Sequence, residues 1–248
     1  MEQKNLIATG DQANVYKTDD LAVKVFKEDY PKTDVLYEAL INARIEDTGL
    51  NIPKIQEVSK IDGNWAISME CIEGKTLYDL IKDDPENKET YINKMVDIQL
   101  EVHSKKVPLL NKLKDKLKTQ IKSIKSIDDT KRYDLLTRLE SMPKHTKLCH
   151  GDFNPKNILI KDDKIFIIDW IDATQGNASA DVANTYLLLC LELPDVAEYY
   201  LDTFCKKSNT QKKYVQHWLS IIAAARLTEN ITEEKELLMK WIDVVDYE

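Results

Sequence analysis

His150-Gly-Asp-Phe-Asn-Pro-Lys-Asn157, followed one short apolar strand later by Ile165-Phe-Ile-Ile-Asp-Trp170, is the stretch whose reading decides the fold of this 248-residue chain. The two segments place a carboxylate (Asp152), a carboxamide five residues on (Asn157) and a second carboxylate (Asp169) around one predicted hairpin, Ile158–Ile160 with Ile165–Ile168. Phosphoryl transfer from a nucleotide uses these groups: a carboxylate to orient or deprotonate the attacking hydroxyl, and oxygen ligands that hold magnesium on the phosphates. An isolated Asp or Asn is ordinarily a turn residue or a cap. Here the D-x-x-x-x-N interval, the apolar strands that follow it and the second acid form one joint pattern. Asp169 also ends a run of four apolar residues, where a buried acid is costly unless it meets a cation. His150 reads as a structural residue whose ring fixes the loop backbone, and His103, His145 and His217 show no partners in the sequence.

The segment resembles the kinase catalytic loop H-R-D-x-x-x-x-N, with Gly151 in place of Arg and Asp169 as its metal-binding acid. H-G-D with I-D-W downstream is similar to the aminoglycoside phosphotransferase and choline kinase group of the protein-kinase-like superfamily. That resemblance implies an α+β, bilobal protein-kinase-like fold, with a β-rich N-lobe holding one helix and a mostly helical C-lobe. It implies transfer of the γ-phosphate of ATP, with GTP left open as a donor, to a hydroxyl of a small molecule in the presence of Mg2+. Asp152 would be the catalytic carboxylate, and Asn157 and Asp169 would hold the metal. Asp181 would brace the catalytic loop from beneath, although an acid ahead of Val182-Ala-Asn-Thr-Tyr-Leu-Leu-Leu189 also reads as a helix N-cap. Asp172 reads either as an acid close to the metal or as a turn cap.

The upstream residues extend the resemblance. Laying G-x-G-x-x-G-x-V on Val15 puts its glycines at Ala8, Gly10 and Ala13, so one glycine survives, and a plain hairpin at Gly10-Asp11 accounts for the same residues. Ala22-Val-Lys24 in the next strand resembles V-A-I-K. Glu38, fourteen residues on, lies in the predicted helix where the resemblance places the lysine's ion-pair partner, so that Lys24 would be aimed at the α- and β-phosphates. Met69-Glu-Cys-Ile-Glu-Gly-Lys75 resembles the nucleotide hinge. The backbone of Glu70 and Ile72 would take the adenine edge, and Val15, Ala22 and Leu159 would form its apolar walls.

Around these motifs, Leu21–Phe26 reads as a strand, and Ile55–Ile61 and Asn64–Ile72 flank the hairpin signal Asp62-Gly63. Val35 to Thr48 has helical spacing with Val35, Leu36, Ala39, Leu40 and Ala43 on one side. A boundary near Cys71–Gly74 divides the chain into an N-terminal nucleotide-binding lobe, 1–72, and a C-terminal lobe, 73–248, that carries the loop 150–157 and Asp169. Four cysteines without C-x-x-C spacing, an N-terminus without a signal-like apolar stretch, and a longest apolar run of only Tyr186–Leu191 lead to the expectation of a cytoplasmic protein without a membrane partner.

The net charge of −8 hides a segment, 104–147, with thirteen Lys or Arg against five Asp or Glu. The rest is too acidic for a general nucleic-acid binder, and the expected partners are a nucleoside triphosphate and a small acceptor. No D-F-G occurs, Asn154 stands where protein kinases carry lysine, and eleven residues separate Asp169 from Asp181, too few for a peptide platform. The alternatives are an atypical protein kinase and a nucleotide-binding pseudokinase acting as an interaction module. Glu229, Glu233, Glu234, Glu236, Asp243 and Asp246 would suit a cationic acceptor, or form a solvated helix face. Trp218, Trp241, Tyr199 and Tyr200 would suit a quaternary ammonium, or fill a core. Lys112–Lys125 would suit an anion, or form a plain amphipathic helix. The sequence does not choose among them.

Overall fold

A computed structural model of the chain describes residues 5–243. In chain order its elements are β1 Asn5–Thr9, β2 Ala13–Thr18, β3 Leu21–Phe26, α1 Lys32–Glu46, β4 Ile55–Ile61, β5 Asn64–Glu70, β6 Lys75–Thr76 and α2 Leu77–Asp83. There follow α3 Lys88–Ser104, α4 Leu113–Ser123, α5 Asp129–Ser141, β7 Lys147–Cys149, β8 Ile158–Lys161, β9 Lys164–Ile167 and β10 Thr174–Gly176. The chain closes with α6 Ala178–Glu192, α7 Pro194–Ser208, α8 Lys212–Arg226 and α9 Lys235–Ile242. Two compact units result: one runs through Leu80 and takes in Pro155–Ile171, the other comprises Ile81–Asn154 and the chain from Asp172 onward.

The first unit is built on an antiparallel sheet of order β1-β2-β3-β5-β4. Asp62 and Gly63 both adopt left-handed φ values, 52° and 89°, the geometry whose twist suits a two-residue hairpin between β4 and β5. Ala13, Phe26, Val35 and Ile67 form a buried cluster under Trp65, Val58 and Met69. Helix α1 contributes Val35, Glu38, Ile41 and Ile45 to the interior, whereas Leu36 and Leu40 stay 44% and 46% exposed. The expected apolar face is thus rotated. An acid, drawn inward by a partner on the sheet, occupies the stripe that a count of apolar residues gives to Leu36 and Leu40.

A second, three-stranded sheet, β6-β8-β9, explains why Pro155–Ile171 packs with the first unit rather than with its sequence neighbours. Gly74 leads into β6 where the chain crosses β8, and a Cβ there would lie 2.5 Å from the Ile160 carbonyl oxygen, so only glycine fits. The sequence boundary at residue 72 differs from this division in two ways: the first unit runs on through Leu80, and it takes in Pro155–Ile171, so that Asn157 and Asp169, expected in the 73–248 lobe, group with the first unit.

The second unit is helical apart from the two-stranded ribbon β7–β10. Helix α4 is amphipathic: Leu113, Leu117 and Ile121 are buried, and Lys118 and Lys122 face solvent. Helix α6 is capped by Asn177, whose side chain accepts the Ser179 N–H at 3.0 Å; Asp181 lies inside the helix and is not its cap. Trp218 and Tyr200 fill the core, and Trp241 stacks on Tyr186 at 5.7 Å. Three of the acidic C-terminal residues are engaged in ion pairs. Glu234 takes a two-pronged bond from Arg226 at 2.8 Å, Glu236 pairs with Lys240, and Asp243 with Lys131, while Asp246 lies outside the described residues. Among the described residues no helix is long and apolar enough to cross a membrane.

Candidate active site

Strand register puts three of the residues expected to meet the nucleotide on one sheet face. Lys24 pairs across β2 with Val15 and across β5 with Ile67, and Ala22 pairs with Lys17 and Met69. Side chains two apart along a strand point the same way, so Val15, Ala22 and Lys24 share that face. The Lys24 Nζ donates to Glu38 Oε1 at 2.7 Å. Burial pushes the Glu38 carboxyl above the usual carboxylate range; the charge and hydrogen bond of Lys24 oppose that shift, and the like charge of Asp169 adds to it.

Removing Lys24 therefore has a cost that depends on pH. Without its cation Glu38 binds its proton still more tightly in the folded state than in the unfolded chain, so stability is lost as pH rises through the folded-state value. Lys24→Met is expected to destabilise by roughly 1–3 kcal/mol at about pH 8 and clearly less at about pH 5, measured by urea unfolding. An equal loss at both pH values would mean that Glu38 is not charged beside Lys24.

The hairpin β8–β9 places the two expected metal ligands. Its first ladder pair is Ile158 with Ile167, and the Asn157 carbonyl accepts the Ile168 N–H at 3.0 Å. Asn157 and Asp169 therefore flank the same open end of the hairpin, in the same compact unit as Lys24 and Glu38. Asn157 is buried, but Asp169 is exposed, which removes the desolvation argument made for it from sequence. Its φ of +63° turns the chain after β9, and Trp170 takes the interior position instead, donating its indole N–H to the Ile167 carbonyl at 3.0 Å.

Among the described residues no three His, Cys, Asp or Glu side chains cluster into a self-sufficient metal cage. A carboxamide and a carboxylate are hard oxygen donors, and magnesium characteristically takes one or two protein oxygens and completes its shell with phosphates and water. The donor set fits that ion. In the expected hinge, the Glu70 N–H goes to the Lys54 carbonyl and the Cys71 N–H to that of Asp20, each at 3.0 Å, so Glu70 could meet a base only through its carbonyl. Ile72 and Leu159 are half-buried.

Asp152 belongs to the second unit, and its loop is held from several sides. The buried His150 accepts the Asp152 N–H on Nδ1 at 3.2 Å, so its ring fixes the backbone. The Asn154 side chain donates to Asp152 Oδ1 at 3.0 Å. On α6, Asp181 Oδ1 accepts the Gly151 N–H at 2.8 Å, and Asn184 donates to the Gly151 carbonyl at 2.7 Å. The other Asp181 oxygen lies 2.9 Å from His103 Nε2 on α3, beside Gln99 and Tyr200. His103 and Asn184 were not picked out from sequence. A signal existed for each: Gln99 and His103 interrupt the apolar stripe of α3 one turn apart, and Asp181 and Asn184 do so on α6. Asp172 pairs with Lys116 of α4 at 2.6 Å.

Burial alone would raise the Asp181 carboxyl; the hydrogen bond and charge of His103 and the Gly151 N–H outweigh it and hold the group below its ordinary value. A depressed folded-state value contributes stability above the ordinary carboxylate range that is lost as pH falls through the folded one. Unfolding free energy measured from about pH 6 down to pH 2 should fall less steeply in Asp181→Asn than in the natural chain. Parallel curves would remove Asp181 as the acid-sensitive tie.

Comparison with known proteins bears on the fold and the family of the chain. A 65-residue stretch is 32% identical to the LicA protein of Haemophilus influenzae and covers 26% of this chain but only 24% of that protein's length. A thermostable mutant of an aminoglycoside phosphotransferase, solved in ternary complex with AMP-PNP and hygromycin B, superposes with a TM-score of 0.72 at 16% identity, covering 96% of this chain and 90% of that one. A choline/ethanolamine kinase family protein from Mesorhizobium loti gives 0.62 at 13% identity, over 95% and 83%. At such identities these two likenesses concern the fold, which is α+β and protein-kinase-like. The sequence itself matches the phosphotransferase enzyme family over residues 6–214, a span that runs from β1 into α8, and on that match the chain belongs to the phosphotransferase enzyme family.

Proposed function

We propose that this protein is a magnesium-dependent kinase that moves the γ-phosphate of ATP to a hydroxyl of a small molecule. The observation that carries the reading is the β8–β9 hairpin, which sets Asn157 and Asp169 at one open end within the unit that holds the Lys24–Glu38 pair. In the reaction the acceptor oxygen attacks the γ-phosphorus, the bond from that phosphorus to the β–γ bridging oxygen breaks, and ADP leaves. Asp152 orients the hydroxyl and receives its proton. Lys24, steadied by Glu38, steers the α- and β-phosphates. Asn157 and Asp169 supply protein oxygens to magnesium, which when bound would neutralise charge on the transferred phosphoryl group. Because the transition state is loose, positioning and charge stabilisation carry most of the rate.

Several features favour a small acceptor. Only eleven residues separate Asp169 from Asp181, and they form the short β10, its flanking turns and the start of α6 rather than a platform for an extended peptide. A structural neighbour of this fold is a complex with hygromycin B. The test is ADP release from magnesium–ATP across a panel of aminoglycosides, amino alcohols and sugars, run beside a peptide panel. Stimulation by one class of small hydroxyl compound is expected. Robust transfer to peptides with none to small molecules would overturn the reading.

A further inference from the structure

We propose that Lys116, on helix α4, is a positioning residue for phosphoryl transfer, acting on Asp152 through Asp172 and Gly151. The proposal rests on the reading of Asp152 given above. Its basis is the ribbon β7–β10, whose register pairs Lys147 with Gly176, Leu148 with Gln175 and Cys149 with Thr174. Two positions further along the same antiparallel register, Gly151 stands opposite Asp172. The contact is close: Gly151 has φ +86°, and a Cβ on it would lie 2.4 Å from the Asp172 carbonyl oxygen. The peptide that leads into Asp152 thus packs closely on the backbone of Asp172, just beyond the last paired residues of the ribbon.

Lys116 in turn clips Asp172. Its ammonium donates to Asp172 Oδ1 at 2.6 Å and lies 3.4 Å from the Asp172 carbonyl oxygen, the atom against which Gly151 packs. The helix that carries Lys116 is itself tied to the ribbon. Gln175 donates its N–H to the Asn111 carbonyl at 2.8 Å and its side chain to that of Leu110 at 3.1 Å. Leu113 presses on Gly176, where a Cβ would come within 2.5 Å of the leucine Cβ. From the other side, Asp181 and Asn184 hold the Gly151 N–H and carbonyl. Gly151 is therefore fixed directly by α6, and its facing residue is fixed by α4 through a single lysine. An isolated, half-exposed ion pair contributes little to global stability. Here its effect is local, because a shift on the order of 1 Å in a reacting group can cost about 10²-fold in rate. This gives one cation of the basic 104–147 segment a definite task.

The test uses single-turnover ADP release from magnesium–ATP with water as the acceptor, together with amide hydrogen exchange over residues 148–154 and ATP affinity by calorimetry. Lys116→Met is expected to slow release roughly 10- to 100-fold and speed exchange in that segment, with ATP affinity within about 2-fold of the natural chain. Lys116→Arg, which keeps the cation, should restore both. In an Asp152→Asn background Lys116→Met should cost almost nothing more, because the two act as one unit. Unchanged release and exchange in Lys116→Met overturn the proposal, and so does a loss that adds fully to that of Asp152→Asn. Natural release in Asp152→Asn itself would instead sink the role of the carboxylate, which separates the two failures. Should water turn over too slowly to time, the exchange measurement decides alone: an unchanged 148–154 segment removes the clip.

Discussion

Asp152→Asn should lower phosphoryl transfer by about 10²–10⁴-fold while leaving nucleotide affinity within about 2-fold, the usual size of a lost general-base contribution. The substitution is suited to the question. The Asp152 backbone is held by His150 through its N–H, and its Oδ1 accepts from Asn154; a carboxamide of the same shape can keep both contacts. The loop's other anchors, Asp181 and Asn184, grip Gly151 rather than Asp152. A folded loop with an intact nucleotide site and no proton acceptor is the expected product. The measurement is acceptor-dependent ADP release alongside calorimetric titration with ATP. Turnover close to that of the natural chain would remove Asp152 from the chemistry, and parallel loss of ATP binding would make it a structural residue.

The second large effect belongs to Asp169. Asp169→Asn is preferred to alanine because φ is +63°, a conformation that Asn tolerates and alanine does not. The side chain is exposed, so the fold should survive. Magnesium-dependent tightening of ATP should largely disappear, and turnover should drop on the order of 10²-fold or more, as expected when several kcal/mol of metal-assisted charge stabilisation is lost. A second readout needs no turnover. The Asp169 charge raises the Glu38 carboxyl, so its removal should lower that value and reduce the stability lost between about pH 5 and pH 8. Magnesium-tightened ATP binding equal to that of the natural chain would overturn the metal assignment. An unchanged pH profile would place Asp169 too far from Glu38 to matter.

The parts legible from sequence were those in which local chemistry and tertiary need coincide. Asp62-Gly63 makes its hairpin because its own φ preferences suit the twist, and Leu21–Phe26 and Ile55–Ile61 keep their expected limits as strands. Lys24 meets Glu38 because the helix after β3 has one acid at the right level. What sequence periodicity missed depends on contacts between distant segments. The inward face of α1 is decided by Lys24 as much as by leucines, and Asp169 turns outward because Trp170 claims the interior. The partnership of His103 with Asp181 spans 78 positions, and that of Lys116 with Asp172 spans 56; nothing local to either residue encodes it.

The hairpin that carries Asn157 and Asp169 has a consequence for the order in which the protein can assemble during synthesis. The first compact unit needs residues through Leu80, but also Pro155–Ile171, whose strand β8 completes the pairing of β6. The 74 residues Ile81–Asn154 separate these two pieces, and the second is complete only at Ile171. At translation rates of about 5–20 residues per second, the nascent sheet waits roughly 5–20 s for its missing strands. During that interval β6 has no partner, and Gly74 has no Ile160 carbonyl to approach. The five-stranded sheet must therefore persist, or be protected by other factors, while the intervening helices emerge. Slowed synthesis between codons 80 and 155 should lower the yield of folded protein more than the same delay placed after codon 171.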